Sequence, residues 1–502
     1  MAHTSQADVS EERNAGVLLH PTSLPGPFGI GDLGDEAFAF LDWAANARMH
    51  LWQVLPLNPP GYGNSPYGCH SSFAGNPLLI SPQQLLERGL LPKLERVPKF
   101  ATGDVDFDRV RRWKNELLQT SWKHFQQHAS QEQRDDYAQF TADEKSWLED
   151  WALYAALKEQ SGGAAWWDWD RAISRREESA LHEVRQSLAE SIDFHEYVQW
   201  LFDRQWRAVR EAAHAREIRI VGDVPIYVAG DSADVWSHPD LFQLDDSGHP
   251  SVVAGVPPDY FSKTGQRWGN PLYRWDVMHE RGFDWWIARV KRNLEHADII
   301  RLDHFRGFAA YWEIPASEPT AINGQWKPGP GLALFEAIRD ALGGTLPLVA
   351  EDLGFITKDV HELRRGAGLP GMKILQFGFS QLDSPHLPHR YEAKTIVYTG
   401  THDNDTARGW FESATRDEQE LAAAYLGPEC ENISWALIRA AYASVACTAI
   451  VPVQDILNLG SEARMNRPGD PKHNWTWRLQ SGALTGEHAA RLRRLAEITG
   501  RA

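Results

Sequence analysis

Short apolar runs alternate with longer stretches of helical period along most of the chain. The runs are Gly16–His20, Leu51–Leu55, Ile218–Asp223, Asp298–Asp303, Leu346–Glu351, Met372–Phe377, Thr395–Thr401 and Ala449–Val453. Each is short enough for a strand and apolar enough to be buried on both faces, as parallel strands are. Between them the period changes; Leu334, Ile338 and Leu342, for example, recur at helical steps. Strands alternating with helices predict an α/β fold with a parallel sheet, and eight of them predict a TIM (β/α)8 barrel.

The spacing is uneven, and this defines the organisation. Residues 1–15 read as a polar N-terminal tail and 16–502 as the barrel. The gap after the second run far exceeds a normal crossover. Within it, Val110, Trp113, Leu117 and Trp122 mark an amphipathic helix and Arg171–Val198 is a charged helical run. Residues 78–200 are therefore expected to form a mostly helical inserted subdomain. Residues 227–297, rich in Pro, Gly, Asp and Trp, are expected to form active-site loops plus a helix. A last helical stretch, Gly486–Thr499, closes the chain.

Three of the apolar runs end in an acid: Ile299–Asp303, Leu346–Glu351 and the run through Thr401-His402-Asp403. Carboxylates are unusual at the end of buried strands. At the C-terminal end of a barrel strand they point into the mouth where this fold does its chemistry. Arg301 and Asp303 stand two apart on one strand and share a face, so the guanidinium keeps the carboxylate ionised; the same pair also reads as a structural ion pair. Glu351 follows an apolar strand, which favours its neutral, proton-donating form. Its alternative is to cap the following helix together with Asp352. His402 has no second histidine at ligand spacing, so it reads as a hydrogen-bonding group. Asp223 is a fourth strand-end acid, read as a partner for hydroxyls. One protonated acid and one ionised nucleophile on facing strands describe a retaining glycosidase, with carboxyls about 5–5.5 Å apart; about 6.5–9.5 Å would mean inversion.

Composition narrows the partners. The 502 residues carry a formal net charge of −17, which argues against nucleic acid and anionic membrane. The first residues have no apolar signal-peptide core, and no apolar run reaches membrane-spanning length. Cys69, Cys430 and Cys447 are odd in number and widely spaced, so neither a disulfide framework nor a zinc site is expected, and a cytoplasmic location fits best. There are 22 tryptophans against 5 methionines. Most of that aromatic surface belongs to cores, yet indole faces also stack on sugar rings. Two loops suit such contacts. One runs Gly61-Tyr62-Gly63-Asn64-Ser65-Pro66-Tyr67 and the other Gly265-Gln266-Arg267-Trp268-Gly269-Asn270-Pro271; both also read as plain turns.

These residues resemble one family, the bacterial 4-α-glucanotransferases or amylomaltases (glycoside hydrolase family 77), from about Gly16 to the C-terminus. The resemblance is carried by Leu19–Pro27, Asn64–Tyr67 with Phe73–Pro77, Gly222–Val228 with Asp231–Trp236, Val253–Tyr260 with Gly265–Trp275, Arg301–Phe308, Val349–Gly354, Tyr398–Thr406 and Ser461–Asn466. It implies Asp303 as nucleophile, Glu351 as acid/base and Asp403 as transition-state stabiliser. It further implies Arg301, His402, Asp223, Tyr67, Ser65, Tyr62, Trp268, Gln266, Asp259 and Asn466 as substrate contacts, with 253–270 as a loop closing over the acceptor. The implied partners are an α-1,4-glucan donor and a glucose or maltooligosaccharide acceptor, with no cofactor or metal and a monomer or weak homo-oligomer. The chain departs from the family pattern after Tyr67, where Gln, a small residue and an aromatic are expected and Gly68-Cys69-His70 stand. This departure bears on donor affinity or chain-length preference. Two other readings stay open: an amylase-type hydrolase sharing the three carboxylates, and an α-glucan-binding protein without activity.

Overall fold

A computed structural model describes residues 13–502 apart from Arg96, 259–261, 428–431 and Pro471. Among the described residues, twelve strands form two sheets. They are β1 (Asn14–Leu18), β2 (Leu51–Gln53), β3 (Arg219–Pro225), β4 (Val252–Val256), β5 (Gln266–Pro271), β6 (Ile299–Asp303), β7 (Ala310–Pro315), β8 (Gln325–Pro328), β9 (Leu348–Ala350), β10 (Gly371–Ile374), β11 (Thr395–Tyr398) and β12 (Thr448–Pro452).

Eight of them pair in parallel in the order β10-β11-β12-β1-β2-β3-β6-β9. The Ala350 N–H donates to Pro370 O at 3.0 Å across the remaining gap, so β9 and β10 bring the sheet close to a full barrel. Each expected run holds one barrel strand. The edges differ: β1 starts at Asn14, inside the stretch read as tail, and β10 stops at Ile374, where Leu375–Ser380 turns into a 3-10 helix.

The barrel has two cores, and period-two alternation decides which side chain enters which. Val221, Ile299, Val349, Met372, Ile374, Ile396, Tyr398 and Ile450 pack together inside. Ile220, Val224, Ile300, Leu302, Leu348, Ala350 and Val397 face the surrounding helices. Counting two residues on from Val221, Ile299 and Val349 reaches Asp223, Arg301 and Glu351, and two more on β6 reaches Asp303. The inward phase of three strands thus delivers four ionisable groups to one end of the barrel.

The insertion after β2 is helical. Its long helices are Phe107–His128, Gln131–Asp143, Lys145–Gln160 and Glu178–Ser187; Ala189–His214 then leads back into β3. The stretch 227–297 corrects the sequence reading. Besides the helix Asp284–His296 it contains β4 and β5, which join β7 and β8 in an antiparallel sheet ordered β5-β4-β7-β8. The Gln266–Pro271 segment, read as a loop, is its edge strand. Gln266, Arg267 and Trp268 are all exposed, so it lacks the buried face that marks a strand in sequence. Glycine permits the close pairing: a Cβ on Gly255 would lie 2.2 Å from Gln266 O, and Gly265 turns the hairpin at φ +67. Among the described residues, no helix is long and apolar enough to cross a membrane.

Candidate active site

At the C-terminal ends of the barrel strands a set of polar contacts runs from Asn466 to Asp303, and the His304 main chain links it to Glu351. Asp223 and Arg301 are register partners on β3 and β6, so their inward side chains meet. Arg301 donates through Nη1 to both oxygens of Asp223, at 2.8 and 2.7 Å, and through Nη2 to Asp303 Oδ1 at 2.9 Å. Both partners of the first pair are buried. Burial pushes the Asp223 carboxyl up to about 7, against the pull of Arg301. The guanidinium is held charged by Asp223 and Asp303 despite its burial.

Tyr67 extends the set. Its hydroxyl donates to Asp223 Oδ2 at 2.8 Å, and its ring stacks on His402 with centroids 4.9 Å apart. His402 Nδ1 lies 3.4 Å from the same hydroxyl and Nε2 lies 3.4 Å from Asp403 Oδ1. Burial lowers the His402 pKa, so the ring is neutral and its one N–H serves one neighbour at a time. Asn466 Nδ2 donates to Asp403 Oδ1 at 2.6 Å, and Arg464 Nη2 donates to the Asp403 carbonyl at 2.6 Å.

Glu351 sits on the other flank. It follows β9 directly, and its backbone N–H donates to Leu302 O at 3.1 Å. One carboxyl oxygen accepts from the His304 N–H at 2.7 Å and the other from the Leu353 N–H at 2.9 Å. His304 directly follows Asp303, so the chain that carries one carboxylate also fixes the other. To do this His304 takes φ 54, a left-handed conformation uncommon outside glycine. Burial first, then the charge of Asp303, raises the Glu351 pKa well above the usual carboxyl range, outweighing Arg301 and the two N–H groups. The capping alternative for Glu351 and Asp352 fails on geometry. The next helix begins at Lys358 with Thr357 before it, and Asp352 instead accepts from the Met372 N–H at 2.7 Å.

A carboxyl whose folded pKa is raised favours folding in its neutral form. Its contribution is full below the unfolded value and is lost as pH rises through the folded one. Glu351→Gln, neutral throughout, is therefore expected to lose less stability than wild type as pH rises from the ordinary carboxyl value through the raised folded one. Denaturant midpoints of the two proteins across that range check this; parallel curves would contradict it.

The remaining candidates separate into near and far. Trp268, on β5, meets His304 edge to face with centroids 4.7 Å apart, which places it beside Asp303. Its indole N–H donates to Gln266 Oε1 at 3.2 Å. Burial lowers the His304 pKa to about 4, so this ring too is neutral. Ser65 is occupied locally, its hydroxyl accepting from the Tyr67 N–H at 3.2 Å. Tyr62 is 90% exposed on the same loop, in contact with none of the three carboxylates. Asp259 lies outside the described residues. In the departing tripeptide, Cys69 is buried and its thiol pushed up to about 12, while the His70 N–H donates to Pro59 O at 3.0 Å. A Cβ on Gly68 would meet nothing within 4 Å. Cys69 and His70 therefore anchor the loop from beneath, and Gly68 leaves space beside Tyr67. Among the described residues, no group of three His, Cys, Asp or Glu side chains is placed to hold a metal ion.

The glycoside hydrolase family 77 model, described as 4-alpha-glucanotransferase, matches residues 19–485. The chain belongs to the 4-alpha-glucanotransferase family. A 4-alpha-glucanotransferase of Thermus thermophilus is 53% identical, covering 97% of this chain and 99% of its own. The chloroplastic/amyloplastic 4-alpha-glucanotransferase of Solanum tuberosum is 46% identical over 98% of this chain and 86% of its own. The amylomaltase of Streptococcus agalactiae, solved in complex with acarbose, superimposes with a TM-score of 0.94 at 40% identity, covering 98% of this chain and all of that one. The barrel is thus that of a glycosyl-transferring enzyme family, and the reading as a protein without activity is set aside.

Proposed function

We propose that the enzyme moves α-1,4-glucan segments between maltooligosaccharides by a retaining double displacement through a glucosyl ester of Asp303. The observation that carries this reading is the pairing of two unlike carboxyls. Asp303 is clamped by Arg301, and next to it Glu351 is half-buried with its pKa raised. A carboxylate ion-paired to a guanidinium beside a carboxyl held toward its neutral form divides naturally into nucleophile and acid.

In the first step Glu351 gives its proton to the glycosidic oxygen as that bond to the anomeric carbon breaks. An Asp303 oxygen bonds to the same carbon from the opposite face. In the second step Glu351 takes the proton of an acceptor 4-hydroxyl, whose oxygen displaces Asp303. Two inversions retain the α configuration. When the acceptor is the far end of the same glucan, the same step closes a ring. Asp403, oriented by Asn466 and flanked by His402, holds hydroxyls of the donor sugar, while Tyr67, Asp223 and Arg301 build the wall behind it. A reducing cytoplasm suits the buried free thiols of Cys69 and Cys447.

Transfer outruns hydrolysis when the acceptor displaces water from the ester. Trp268 is well placed to exclude it, being exposed on the β5 edge and packed on His304. Trp268→Ala is expected to raise the ratio of hydrolysis to transfer severalfold, read as reducing ends against free glucose; an unchanged ratio would remove Trp268 from this role. The activity itself is tested with pure protein and maltotriose. Longer oligosaccharides plus glucose support transfer, and shorter products with rising reducing ends would mean a hydrolase.

A further inference from the structure

The inserted helix Phe107–His128 ends on a pair of histidines that takes no part in the catalytic mouth. His124 and His128 stand four residues apart and so share one face of the helix. Their ring centroids are 4.6 Å apart and the ring planes are tilted by 40°. His124 is half-buried and His128 is exposed, so solvent reaches the pair. Among the described residues, neither ring is hydrogen-bonded or ion-paired to another group. Helical spacing alone brings the two rings together; their four ring nitrogens are left uncommitted.

The separation suits chelation. An imidazole nitrogen binds zinc at about 2.0–2.1 Å, which puts the ring centroid about 3.2 Å from the metal. Two such rings have centroids about 4.5 Å apart when the ligands meet at a right angle and about 5.2 Å apart at a tetrahedral angle. The observed 4.6 Å falls inside that span. Binding through one ring then holds the second nearby at high effective concentration, which is the gain a chelate has over two separate ligands.

The surroundings favour a cation. His128 is the last residue of a helix of 22 residues, where the dipole presents its negative end. The chain as a whole carries a formal charge of −17. The guanidinium of Arg134 does reach this last turn, donating to Gln126 O at 3.0 Å. Gln126, however, is two residues from each histidine and projects on the opposite side of the helix. Imidazole suits zinc, copper and nickel, whereas calcium and magnesium require oxygen ligands. No third His, Cys, Asp or Glu joins the pair among the described residues, so water fills the remaining positions. We propose that His124 and His128 together bind one late first-row divalent cation, with Zn²⁺ as its representative, on the surface of the inserted helical subdomain.

The test is calorimetric titration of Zn²⁺ into the full-length protein at about pH 8, where imidazoles are ordinarily neutral. Wild type is compared with His124→Gln, His128→Gln and the double variant Lys123→His, His124→Gln. The double variant changes an exposed lysine and keeps the number of histidines. It sets them five residues apart, about 140° around the helix, so they no longer share a face. Any binding at other histidines is common to all four proteins. Wild type is expected to show one site that each of the three variants lacks or fills at least about tenfold more weakly, the loss of the chelate. Isotherms that superimpose for all four proteins would overturn the site. Loss in only one of the single variants would reduce it to a lone imidazole, and full affinity in the double variant would show that the shared face is not required; either result contradicts the proposal.

Discussion

Asp303→Asn is expected to bind maltotriose and turn it over about 10⁴-fold more slowly or worse, the scale on which losing a covalent nucleophile falls. The loss should be confined to chemistry. Arg301 keeps both bonds to Asp223 in this variant, so no buried charge loses its last partner. The Asp303 carboxylate is itself 29% exposed, which limits the desolvation its replacement changes. Progress curves on maltotriose and a denaturation curve, measured on one preparation, check both halves. An intact fold with activity within tenfold of wild type would remove Asp303 from the nucleophile's position.

Arg301→Met should do the opposite and damage the fold as well as the reaction. Arg301 is 3% exposed, and among the described residues it is the sole cation bonded to Asp223, which is equally buried. Removing one member of such a pair costs about 3–5 kcal/mol, because the other is left buried and uncompensated. The sign with pH follows. With its cation gone, Asp223 folds best in its protonated form, so the destabilisation should shrink as pH falls and grow as pH rises. Adding Asp223→Leu removes the stranded charge and should restore most of the stability without restoring transfer. Denaturant midpoints of the single and double variants at two pH values measure this. An Arg301→Met protein as stable as wild type would show that the pair contributes nothing net.

The two predictions rest on features of unequal visibility in the chain. The eight barrel strands are legible because parallel strands buried on both faces are written as continuous apolar runs, and the acids that end them break the pattern at the mouth. Strand period alone sets Arg301 and Asp303 on one face. The antiparallel sheet is hidden, since its edge strand Gln266–Pro271 exposes its side chains and contains the residues that also mark turns. The part of the site made by main chain is hidden too. The His304 and Leu353 N–H groups hold Glu351, yet nothing in the identity of either residue predicts this, and the left-handed turn at His304 is imposed by its surroundings. Arg464, which binds the Asp403 carbonyl, lies in the segment next to Asn466, and that proximity is its one signal in the sequence. Ser65 is a local case: its hydroxyl accepts from the Tyr67 N–H, a bond that its residue type alone does not announce.

The claim that organises all of this is that a glucosyl unit is carried for a moment on Asp303. It is tested most directly with Glu351→Gln and α-maltosyl fluoride, a donor whose leaving group needs no proton. The ester then forms without the acid and decays slowly without the base. Acid quenching, protease digestion and mass spectrometry should find a maltosyl adduct on the peptide that contains Asp303, absent in the Asp303→Asn, Glu351→Gln double variant. Release of fluoride with no adduct on any peptide, or an adduct on a different residue, would contradict the account.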